Sequence, residues 1–200
     1  LNAQIDAFYK KFNRCKLETE AETKEFISDV EKILGQCPSP DGEERKALAK
    51  LCSHAGCMVV VFGNDLDNGI PYYRKSIELD PESYDLRWEY YTTLEEIVED
   101  EEYSTPELIQ DAIDCLTFCI DFCDTPELRG EKYVHFRYID LGRVYMAAGD
   151  YRKARECFKS SMRILPNDNA HNLLAQAEKK IGNPITRFFK RLFSVFRKEK

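Results

Sequence analysis

The sequence predicts an all-α chain in which antiparallel helix pairs stack on one another, and three observations carry that prediction. Small and bulky side chains recur at matched intervals in two distant stretches, Gly69-x3-Tyr73 with Pro81 and Ala154-x3-Phe158 with Pro166. Apolar residues elsewhere return at three- and four-residue steps, the period of a helix with one buried face. Glycine and proline are sparse and stand mostly between these helical patterns, where neither weakens a helix interior. A hydrophobic content of 43% with 32% charged residues is enough for a sizeable core and argues against disorder.

Residues 2 to 14 place Ile5, Phe8, Tyr9 and Phe12 on one helical face, and Thr19 to Gly35 does the same with Phe26, Ile27, Val30, Ile33 and Leu34. Glutamates open the second of these, where the helix dipole favours them. Residues 1–36 are therefore read as a degenerate helix pair or an N-terminal cap, closed by the break Cys37 to Gly42. The next pair spans 43–82. Its first half ends in the apolar run Cys57 to Phe62, which suits a buried helix or a short strand, and its context favours the helix. Ser76 matches Ser161 in the spacing already noted. Residues 83–130 form a stretched pair: Trp88, Tyr91, Leu94 and Val98 give one helix, and Thr105 caps a second that starts at Pro106. Ala112-x3-Leu116 with Cys119 repeats the small–bulky device. The additions are an acidic loop, Glu99 to Ser104, read as a solvated connection, and the turn Asp124 to Glu127.

The clearest pair is 131–168. Tyr138-x2-Leu141-Gly142-x2-Tyr145 leads to Ala154-x3-Phe158 and then Pro166. Gly142 and Ala154 are small where two helices approach, and Tyr145 and Phe158 fill the space between them. Gly149 stops the first helix, Asp150 caps the second, and Pro166 ends it. Residues 169–182 read as a solitary capping helix ended by Gly182. In order and spacing this stretch resembles the tetratricopeptide repeat, a helix pair of about 34 residues.

That resemblance implies a right-handed superhelical array whose first helices line a concave groove that takes extended peptides or helices. By alignment with the best repeat, the groove would be lined by Leu51, His54, Ala55 and Met58, by Trp88, Glu89 and Thr92, and by Phe136, Ile139, Asp140 and Arg143. The family's best-known pocket grips a C-terminal carboxylate with Lys, Asn and Arg. Here the corresponding places hold residues such as Leu51, His54, Asp85 and Glu89, which cannot clamp an anion. The expected partner is a hydrophobic or basic peptide.

Residues 184–200 form a separate element. About 100° per residue sorts Ile185, Phe188, Phe189, Leu192, Phe193, Val195 and Phe196 onto one arc, and Arg187, Lys190, Arg191, Arg197 and Lys198 onto the other. A basic amphipathic helix of this kind packs on its own array, in a partner's groove or on an anionic membrane surface. Its cations leave the last eighteen residues at +5, so that the first 182 carry −12 of a net −7. Such an acidic body repels phosphate, and nucleic acid is not an expected partner.

No phosphate-binding loop, dinucleotide fingerprint, nucleophile elbow or zinc-protease motif occurs. His54, His135 and His171 stand far apart in sequence. Cys115, Cys119 and Cys123 follow four-residue steps along one stripe, which suits either a core or a metal or redox site. The start at Leu1 shows no secretion signal and no stretch suits a transmembrane helix, so reduced thiols and a cytoplasmic, membrane-peripheral location are expected. Three functions follow: a non-catalytic interaction scaffold with no cofactor and no metal, regulated by its own C-terminal helix; a peripheral membrane adaptor anchored by 184–198; and a thiol- or metal-dependent enzyme. The first is the reading adopted.

Overall fold

A computed structural model describes residues 1–12, 17, 19–123 and 133–182. The described secondary structure is entirely helical, so the predicted all-α class holds. The helices are α1 (Asn2–Phe12), α2 (Glu20–Gly35), α3 (Gly42–Cys57), α4 (Leu66–Leu79), α5 (Tyr84–Glu99), α6 (Pro106–Cys123), α7 (Val134–Ala147), α8 (Tyr151–Ile164) and α9 (Asp168–Ile181). They belong to two compact units, Leu1–Ile97 and Val98–Lys200.

Local chemistry sets the helix boundaries. Thr19 and Asp41 each form a capping box, with Glu22 and Glu44 returning the bond to the cap backbone. Asp65, Asp150 and Asn167 accept the backbone N–H of Asn68, Lys153 and Ala170. Thr105 accepts from Leu108 at 3.3 Å, the predicted cap ahead of Pro106. Gly149 and Gly182 adopt φ of +72° and +73°, the left-handed conformation that lets a chain leave a helix.

In the first unit the core joins α1 and α2 to the α3–α4 pair. Phe8, Phe12 and Phe26 meet at ring-centroid distances of 4.9 to 5.2 Å, and they share a cluster with Val30, Leu48, Leu51 and Val59. Tyr72 donates to the Glu31 carboxylate at 2.6 Å, tying α4 to α2. The apolar run after α3 is helical, as context suggested, but not α-helical. Met58–Phe62 is a π-helical turn in which the Gly63 N–H bonds the Met58 carbonyl, five residues back, at 3.0 Å. α5 joins the same unit: Tyr73 stacks on Tyr90 at 4.8 Å and shares a 2.6 Å hydrogen bond with Thr93.

In the second unit the small–bulky device is built as expected. A Cβ placed on Gly142 would lie 2.3 Å from Phe158 Cε1, so only glycine permits the approach of α7 to α8. Ala154, Phe158 and Ala177 are fully buried together, with Tyr145, Met146, Leu173 and Leu174 around them. In α6, Ala112, Leu116 and Cys119 are likewise fully buried, matching the roles of Ala154, Phe158 and Ser161.

Candidate interaction surfaces

The two units offer separate first-helix faces. In the first unit, Gly56 does the work that Gly142 does in the second: its Cβ would lie 2.6 Å from the Tyr73 ring. Ala154 stands twelve positions after Gly142, but Gly69 stands thirteen after Gly56. The π-helical turn absorbs the additional residue, as such bulges do. An alignment counted back from Gly69 without it is therefore wrong by one position along α3, about 100° of rotation.

This corrects the expected groove. Leu51 and Ala55 are fully buried and Met58 nearly so; they face the core beneath α1 and α2 and are not surface residues. The α3 residues in the places of Phe136, Ile139, Asp140 and Arg143 are Lys50, Ser53, His54 and Cys57. Of the predicted α3 residues, His54 alone belongs to both registers. The signal that could have revealed this was the thirteen-residue spacing, together with the apolar run that carries it.

On this face α1, α3 and α5 contribute side by side. Ser53 donates to Glu89 Oε2 at 2.7 Å. Tyr9 meets His54 edge-on at 5.2 Å, and the Phe26 ring is tilted to it at 6.4 Å. Trp88, half-buried, tilts on Tyr91 at 5.4 Å, while Glu89 and Thr92 are exposed. Burial pulls the His54 imidazole below its ordinary value, opposed by the Glu89 charge. Burial pushes the Tyr9 phenol up, and Glu89 adds to it. The Cys57 thiol rises chiefly through burial, again with a contribution from Glu89. After burial, the Glu89 carboxylate is a cause common to all three shifts.

The α7 face of the second unit is different. Phe136 is exposed at 49%, its ring 3.9 Å from that of His135. Ile139 is buried and so serves the core rather than a partner. Arg143 grips Glu99 at 2.9 and 3.0 Å, which gives the start of the acidic loop a basic contact within its own unit. Asp140 lies 3.7 Å from Arg137. The tail residues Ile185, Arg187, Phe188, Phe189, Lys190, Arg191, Leu192, Phe193 and Phe196, with Cys15 and the turn 124–127, lie outside the described residues.

Comparison with known proteins follows the same lines. A family model described as tetratricopeptide repeat matches residues 135–168, and a second of the same description matches 62–83. Two stretches of the chain thus match the tetratricopeptide repeat. The solved structure of MamA protein superposes on it with a TM-score of 0.53 at 21% identity, covering 95% of this chain and 90% of that one; at this identity the likeness concerns the fold. No curated protein matches the sequence. The repeats and the fold support a protein-interaction scaffold.

The described cysteines are mostly core residues. Cys115, Cys119 and Cys123 are buried, and the stripe they form is the inward face of α6. Burial pushes the Cys52 and Cys157 thiols up to about 12, far from the thiolate that nucleophilic or metal chemistry needs. Among the described residues no group of three or more His, Cys, Asp or Glu side chains is placed to hold a metal ion, and no helix is long and apolar enough to cross a membrane.

Proposed function

We propose that the protein is a non-catalytic scaffold that takes a hydrophobic or basic peptide or helix on its first-helix faces, α3 and α5 in the first unit and α7 in the second. One observation supports this above the others. The second helices α4 and α8 bury their small and bulky residues between neighbours, whereas the first helices keep Glu89, Thr92 and Phe136 exposed and Trp88 half-buried. A partly exposed aromatic beside exposed polar groups is the usual composition of a binding hot spot. The test is capture of a partner from lysate by wild-type protein and by the Trp88→Ala and Phe136→Ala variants. Reduced capture with unchanged melting temperature supports the proposal, and undiminished capture by both contradicts it.

The tail provides the regulation in this reading. Its apolar arc and its +5 charge against the −12 of the preceding chain suit a segment that competes for the same acidic faces. The same composition supports a membrane foot, which would make the protein peripheral to a membrane in a reducing, cytoplasmic setting. Deleting 184–200 distinguishes these roles: greater partner capture marks a competitor, and loss of co-sedimentation with phosphatidylserine vesicles marks a foot.

A further inference from the structure

The proposal here rests on the groove reading above and gives it a chemical specificity. We propose that the first-unit face carries a cation subsite in which the Glu89 carboxylate, beside Tyr9 and His54, takes the guanidinium of an arginine side chain from the bound peptide.

Four observations lead to it. Ser53 holds Glu89 Oε2 at 2.7 Å, which fixes the carboxylate while leaving Oε1 with no donor among the described residues. No described cation pairs with Glu89, although elsewhere on this chain exposed carboxylates repeatedly do, as Glu20 does with Lys24 and Glu99 with Arg143. The neighbours do not neutralise it either: His54 is half-buried against Tyr9 and Phe26, an apolar setting that favours the uncharged imidazole. Finally, the Tyr9 and His54 rings lie close enough to feel the Glu89 charge, so a planar cation could pair with the carboxylate and stack on a ring at the same place. What the cluster lacks is one positive charge with several donors. Arginine fits better than lysine, because its planar fork can meet a carboxylate with two N–H groups and stack on an aromatic ring.

The test uses the full-length protein and two probes of nearly the same shape, acetyl-Phe-Arg-amide and acetyl-Phe-citrulline-amide, in which a carbonyl replaces the charged nitrogen of the guanidinium, followed by nuclear magnetic resonance titration. The arginine probe is expected to bind about tenfold more tightly than the citrulline probe, the size of a charge-assisted contact at a partly exposed site. Glu89→Gln should bring arginine down to the citrulline level and leave citrulline unchanged. Ser53→Ala, which frees the carboxylate without removing it, should narrow the preference and serves if the first variant folds poorly. Equal binding of the two probes, an arginine preference that persists in both variants, or no saturable binding of either probe would each overturn the subsite. Equal binding that Trp88→Ala abolishes would leave the groove reading standing while removing the subsite, so the two can fail separately.

Discussion

Replacing Gly142 by Ala introduces one methyl group at the tightest point of the α7–α8 pair. That methyl would stand 2.3, 2.7 and 2.8 Å from three atoms of the Phe158 ring, where non-bonded carbons prefer about 3.5–4.0 Å. Relief requires a movement of about 1 Å or more by a ring that is fully buried against Ala154 and Ala177. Overpacking of this kind costs about 1–3 kcal/mol, and the better helix propensity of Ala returns up to about 1 kcal/mol. The net expectation is a loss of about 1 kcal/mol, which lowers the melting temperature by roughly 2–4 °C in a chain of this size. Urea and thermal denaturation followed by circular dichroism measure it, with Gly35→Ala as control because nothing lies within 4 Å of its Cβ position. Phe158→Leu in the Gly142→Ala background should recover part of the loss, with a coupling energy of about 1 kcal/mol or more. A Gly142→Ala protein as stable as wild type, or additive effects of the two changes, would refute the packing argument.

Three further outcomes follow from the same structure. Deleting Val61, which is 56% exposed, removes the residue that the π-helical turn absorbs and should leave cooperative unfolding intact, whereas deleting Met146 from α7 should abolish it in the second unit; circular dichroism melts of both variants decide. Because the folded-state value of His54 lies below its unfolded one, the folded protein binds fewer protons, so His54 lowers stability as pH falls below about 6.5. The drop in urea midpoint from pH 7.5 to 5.5 should therefore be smaller in His54→Gln than in wild type, and an equal drop would contradict this. Cys52 and Cys157, held up to about 12 by burial, should resist a thiol reagent at pH 8 until the chain is unfolded in urea; rapid labelling of either in the native protein would contradict it.

Much of this architecture could be read before any coordinates. Ala154, Phe158, Ser161 and Pro166, with their counterparts Gly69, Tyr73, Ser76 and Pro81, were legible because each is fixed by one close helix contact or one helix end. Caps at Thr105 and Asp150 were legible for the same reason. The α3 face was not, since a single inserted residue leaves composition and period almost unchanged while turning every earlier side chain by about 100°. That is why Leu51 and Met58 were expected at the surface and lie in the core, and why Ser53, the residue that orients Glu89, went unread. Tyr9 was missed for a different reason. Its place beside His54 depends on how α1 packs against α3, and α1 carries none of the repeat's signature residues.

In the proposed arrangement the first helices face a partner and the second helices face their neighbours. A photo-crosslinking residue placed in turn at Thr92 and Phe136, and at the exposed second-helix positions Lys75 and Arg152, tests this in the full-length protein. Crosslinks to one shared partner from Thr92 and Phe136, with none from Lys75 or Arg152, are the predicted result. Crosslinks confined to the second-helix positions would contradict it.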